Sequence, residues 1–215
     1  MKKILITLLL ITSASLYAAD VPLKVPHPKP RLIGTQVAVN IGNLDRSDGL
    51  PAESIKVPEN AKNIALNKPV TSSDPAPIIG ELELVTDGEI DAEEGYYVEL
   101  DVNQQWVQID LEKPSTIYAI VVWHFYSQAR AYKDVVIQIS DDPEFKKDVT
   151  TVFNNDEDNT AKLGKGDDKH YIDTHKGRIF PVKAVKGRYV RLYSSGNTAN
   201  QNNHYIEVQV IGTQQ

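Results

Sequence analysis

The sequence contains no cysteine, which excludes disulfides, zinc–thiolate sites, a catalytic thiol and a lipid-modified cysteine. It has no long hydrophobic run either. The best one, Ile4–Ile11, is far too short to span a bilayer. Basic residues are outnumbered, 23 against 29 acidic, and none form a cluster, which argues against nucleic acid or an anionic membrane as partner. Apolar residues at helical spacing over a useful length are absent. So are a Gly-x-Ser-x-Gly elbow, a phosphate loop and a dinucleotide fingerprint. The five histidines, at 27, 124, 170, 175 and 204, lack the helical spacing of a zinc hydrolase. Adjacent acids occur at Glu93-Glu94, Asp141-Asp142 and Asp167-Asp168, but a glycosidase needs carboxylates that flank a bond across a cleft. Enzyme activity is therefore not expected of this chain.

What is present begins with Lys2-Lys3, the short apolar run and small residues up to Ala18-Ala19. Together they form a secretory signal peptide over residues 1–18, cleaved after Ala18 or Ala19. The mature chain is then expected in the periplasm or outside the cell, and without cysteine its core packing, aided by a metal, must hold it. Residues 19–59 open on Val-Pro-Leu-Lys-Val-Pro-His-Pro-Lys-Pro, where proline at alternate positions favours an extended tether. Within this linker, alternation of Ile33, Thr35, Val37 and Val39 predicts an edge strand over Leu32–Ile41.

Residues 60–215 carry β-branched and aromatic runs of four to nine residues, separated by polar turns. The clearest are 105–111 and 116–124, expected as two strands joined by a turn at Glu112–Ser115. The second is apolar on both faces, which places it in the middle of a layered structure. Further strands are expected at 133–140, as a pair near 149–153 and 169–173, and at 178–182, 188–194 and 203–211. Many short strands and no helices predict an all-β fold: an antiparallel β-sandwich, or jelly roll, of about eight strands.

Five strings in order resemble the discoidin domain, the coagulation factor 5/8 C type, which includes the family-32 carbohydrate-binding modules of the galactose-binding-like superfamily. After the opening strand Asn63–Val70 come Val85-Thr-Asp-Gly88, Trp106-Val-Gln-Ile-Asp-Leu111, Ser140-Asp-Asp142, Arg188-Tyr-Val-Arg-Leu192 and Glu207-Val-Gln-Val-Ile-Gly212. The resemblance covers about residues 60–212. It implies the sandwich, and a structural Ca²⁺ bound by Asp87 and Glu207, with Glu89 or nearby carbonyls completing a hard-cation cage. From the residues alone, Asp87 can equally set an Asx turn and Glu207 can face solvent.

The resemblance also gathers two loops at one end of the sandwich. One carries His124, Tyr126, Arg130 and Tyr132. The other carries Asn197, Asn203, His204 and Tyr205, with Asn200 and Asn202 beside them. Sugars are held by flat apolar faces and by planar polar side chains, the chemistry these residues offer. The expectation is a shallow, solvent-facing carbohydrate site, with Tyr126 or Tyr205 as stacking platform and His124, Arg130 and Asn203 as hydrogen-bonding arms. The partner is thus a carbohydrate or glycoconjugate, with a protein partner as the alternative.

Overall fold

The computed structural model describes residues 19–93 and 95–214, so the signal peptide read from residues 1–18 lies outside the described part. Thirteen strands form in order: β1 (Asp20–Pro22), β2 (Leu44–Asp45), β3 (Lys56–Pro58), β4 (Lys62–Asn63), β5 (Val70–Ser72), β6 (Val98–Leu100), β7 (Gln104–Trp123), β8 (Val136–Ser140), β9 (Thr150–Asn154), β10 (His170–Tyr171), β11 (Arg178–Ser195), β12 (Asn203–Tyr205) and β13 (Glu207–Gln214). Among the described residues there is no α-helix, only two short 3₁₀ turns. The fold is an antiparallel β-sandwich; β2 with β10 is a parallel pair.

β7 and β11 organise it. The expected turn at Glu112–Ser115 is instead a bend within one strand of 20 residues, and 178–182 and 188–194 likewise belong to one strand of 18. The chain does not reverse, because both halves of β7 keep the same antiparallel partner, β11. The break is an irregularity in that ladder. Glu112 takes a left-handed φ of 65°, and Pro114, which has no N–H to donate, falls where no partner needs one; Ala184, at φ 53°, lies in a second irregularity opposite Ile117 and Ala119. Before the bend β7 also pairs with β5, and after it with β13. The two strands so pass from one layer to the other, and the main order is β4-β13-β7-β11-β8-β9.

Between the layers lies the main core, with Val107, Ile109 and Leu111 from one half of β7 and Ile117, Ile120 and Val122 from the other, against Ile137, Ile139, Leu192, Val208 and Val210. The second half of β7 is apolar on its other face too. There Ala119, Val121 and Trp123 join Ile179 of β11, Ile206, and Ile211 of β13 in a second cluster. Its cover comes from the N-terminal segment: Leu23, Ala52, Ile55 and Val57 are buried in it. β1 pairs with β3 across this cover, and Leu23 N–H donates to the Ile55 carbonyl at 2.8 Å. Residues 19–59, expected as a tether, pack on the domain at these points.

The predicted edge strand over Leu32–Ile41 does not form. In that stretch Gly34 sits at φ 64°, and the Ile33 N–H finds the Ser127 carbonyl rather than a ladder. The expected pairing of 149–153 with 169–173 is also replaced. β9 pairs with β8, and β10 with β2.

Candidate functional site

The two loops singled out in the sequence adjoin. Tyr132 bridges Asn197, Thr198 N–H donates to the Ala131 carbonyl, and Thr198 Oγ1 accepts from Ala131 N–H. Their side chains, however, are buried. His124, Tyr126, Arg130, Tyr132, Asn197, Asn203, His204 and Tyr205 are each below a tenth exposed. The expected solvent-facing platform is therefore not what Tyr126 and Tyr205 provide. Tyr126 packs in the second cluster and donates to the Ile90 carbonyl at 3.0 Å, and burial pushes its phenol up to about 12. Tyr205 is a core residue whose hydroxyl meets Ser194 Oγ at 3.1 Å.

Asn197 and Asn203 hold the second loop together. Asn203 Oδ1 accepts from Ser194 Oγ and Gly196 N–H, and its Nδ2 donates to the carbonyls of Asp101 and Asn103. Asn197 Oδ1 accepts from the amides of Ala199 and Asn200, while its Nδ2 reaches Asn200 and the Asn202 carbonyl. Such loop-internal bonds are what asparagine commonly supplies at turns.

The remaining residues meet in one place. His124 and Tyr132 rings stack at 4.3 Å, with Tyr205 at 5.0 Å from His124. Arg130 lies over the Phe125 ring at 4.9 Å and donates to Gln128 Oε1 at 2.7 Å. His124 Nδ1 donates to Asp173 Oδ1 at 3.1 Å. Burial, with the Arg130 charge and His124 close by, holds His204 down to about 3, so it is neutral at ordinary pH. A neutral imidazole has one donor and one acceptor, which fixes its tautomer. Tyr132 O–H donates to Nδ1 at 3.0 Å, and Nε2–H faces Glu99 Oε2 at 3.4 Å, a polar contact rather than an ion pair.

Several polar atoms in this group are buried without a hydrogen-bond partner: His124 Nε2, Arg130 Nε and Nη1, Asp173 Oδ2 and Tyr171 Oη. Asp173, Tyr171, Phe125 and Glu99 were not among the residues the sequence singled out. Asp173 follows the two-residue β10, and the only sequence signal for it was an acid in an otherwise strand-like stretch.

At the other predicted site, Glu207 is wholly buried at the start of β13. Its Oε2 accepts from Gly88 N–H at 3.2 Å, which seats it at the turn that follows Asp87. Its Oε1 has no partner. Burial, with the charges of Asp87 and Glu89 nearby, pushes its carboxyl up to about 9, and Asp87 is raised as well, mainly by burial. An orphaned carboxylate oxygen among like charges is the arrangement a hard cation would relieve. The unpartnered Glu207 Oε1 is the observation that suits a cation, while Asp87 Oδ1 already accepts from Glu89 N–H at 2.8 Å in the Asx turn that the sequence also allows. A separate acidic group, Asp134, Asp156 and Asp158, brings three carboxylates close enough to share a metal. In the sequence Asp156-Glu-Asp158-Asn-Thr160 resembles the start of an EF-hand loop but lacks the glycine required at its sixth position, and Asp134, remote in the chain, gives no sign of joining it.

The chain matches the family model of the F5/8 type C domain over residues 69–208, and it belongs to that family. No curated protein matches it. Among solved structures it resembles a variant of chitosan-binding module 1 from a chitosanase/glucanase of Paenibacillus sp. IK-5, at 21% identity and a TM-score of 0.50, over 71% of this chain and 99% of that one. It also resembles an f-lectin (fucolectin) from striped bass (Morone saxatilis) serum, at 19% identity and a TM-score of 0.50, over 72% of this chain and 50% of that one. A family 89 glycoside hydrolase from Clostridium perfringens is similar at 18% identity and a TM-score of 0.50, but the match spans only 14% of that enzyme. These likenesses concern the fold. No described helix is long and apolar enough to cross a membrane.

Proposed function

We propose that the protein is an exported, non-catalytic carbohydrate-binding module, with residues 60–215 as the binding domain. Its site is the polar group at the end of the sandwich formed by His124, Arg130, Tyr132, Asp173 and His204, flanked by the Phe125 ring. The observation that carries this reading is the set of buried polar atoms left without partners there, His124 Nε2, Arg130 Nε and Nη1, Asp173 Oδ2 and Tyr171 Oη. Buried donors and acceptors are nearly always satisfied, so a concentrated exception marks a place where a polyhydroxylated guest can supply what is missing. The sandwich shared with a chitosan-binding module and a fucolectin supports the same reading. Asp87 and Glu207 hold a structural Ca²⁺ that ties the turn at Gly88 to β13.

A glycan array on the mature protein tests the function, with Arg130→Ala as the variant. Losing charge-assisted bonds to a sugar hydroxyl weakens binding by about 1.5–3 kcal/mol, or on the order of 10- to 150-fold. Circular dichroism checks that the variant is folded. Binding unchanged in a folded Arg130→Ala protein, or no glycan bound at all, counts against the site.

A further inference from the structure

We propose that residues 30–36 form a strap that closes this site and has to lift before a glycan can enter. The inference rests on the carbohydrate reading above and adds its regulation. The strap lies directly on the loop that carries the site. Ile33 N–H donates to the Ser127 carbonyl at 2.9 Å, and the Gln36 side chain caps the same loop, its Oε1 accepting from Ala129 N–H at 2.8 Å. Gly34 neighbours Gln128, since a Cβ there would make an ordinary contact of 3.6 Å with its Nε2, and it is Gln128 that binds Arg130. Arg130 is thus one side chain beneath the strap.

Between the strap and the loops is a cavity of about 220 Å³, lined by Pro30, Arg31 and Leu32 on one side and by Tyr126, Ala129 and Asp173 among others on the opposite side. Asp173, whose carboxylate accepts from His124 Nδ1, is among the residues that line it.

The segment is anchored at both ends and lightly held between. Upstream, Leu23 is buried in the second cluster; downstream, Leu44 and Asp45 pair with β10. Val25 still packs against that cluster, but over residues 31–36 the hold on the domain is polar. Arg31 pairs with Asp91 and Glu93, and the bonds of Ile33 and Gln36 add to it. The apolar side chains contribute little to closure, since Leu32 is 68% exposed, Ile33 44% and Val37 73%. Exposed ion pairs and a few hydrogen bonds close a lid weakly. Lifting the middle of the segment leaves Leu23 and the β1–β3 pair in place, so the site can open without disturbing the core.

A site that is open only part of the time binds with an affinity reduced by the open fraction. The test is the full-length mature chain against Arg31→Ala/Gln36→Ala, titrated by calorimetry with chitooligosaccharide, fucose and galactose, and with the best glycan from the array. Amide exchange at Ile33 and Ala129 is followed in parallel. A strap closed about nine-tenths of the time predicts about tenfold tighter binding by the double variant. It also predicts faster exchange at both amides, and faster exchange at Ile33 in wild type when sugar is added. Equal affinity in the two proteins overturns the strap and leaves the carbohydrate site standing. Failure of both proteins to bind any of these glycans removes the site, and the strap proposal with it.

Discussion

Glu207 concentrates the energetic tension of the molecule in one side chain. In the metal-free protein its carboxyl titrates at about 9, against 4.5 for an unperturbed glutamate. Below both values the folded and unfolded states hold the same proton. Between them the folded state keeps a proton that the unfolded state has released, so stability falls as pH rises, by up to about 1.4 kcal/mol per pH unit. His204 has the opposite sign. Its depressed value gives stability that is present above pH 6.5 and is lost as pH falls toward 3. The clean window for Glu207 is therefore pH 7 to 9. Thermal melts there should drop with rising pH in chelator and stay level in calcium, because a cation that binds only the native state replaces the proton. Glu207→Gln should abolish the slope in chelator and the response to calcium. Superimposable wild-type melts in calcium and chelator at pH 8–9 would count against the ion. At this scale the sequence was legible in chemical type. His124, Arg130, Tyr132 and His204 do meet, and the turn that follows Asp87 does meet Glu207. Their burial was not legible, because it depends on what lies over them. Nor was Asp173, whose place is set by the remote pairing of β10 with β2.

At the level of elements, alternation and turn residues located most strands, and the two-sided apolar run at 116–124 announced a buried central strand. Pattern could not say what covers its second face. A proline-rich stretch looks like a tether because proline cannot join a ladder, yet the few apolar residues between the prolines are enough to seat it. The test is stability. Leu23→Ala and Ile55→Ala should each destabilise the protein by about 2–4 kcal/mol in urea titrations, the usual range for deleting a buried aliphatic side chain. A free linker would give changes within about 0.5 kcal/mol. The bend in β7 was misread for a related reason. Glu112–Ser115 has turn chemistry, and only the shared partner β11 on both sides of the break shows that the chain bends without reversing.

For the molecule as a whole, the position of β13 between β4 and β7 has a consequence in time rather than in space. A ribosome delivers the N-terminal cover first and this inner strand last among the described elements. Until β13 arrives, β7 shows an unpaired edge, and Ala119, Val121 and Trp123 lack Ile206 and Ile211, so the cover has an incomplete seat. A chain ending at Tyr205 should then show no cooperative melt, whereas a chain ending at Gln214 should melt in one transition. Nascent chains short of β13 should stay protease-sensitive along their whole length. Such a protein passes its synthesis as an open chain with a bare β edge, the state most exposed to mispairing with its own kind. The interval between the first strand and the last is when it depends on being held apart from other copies.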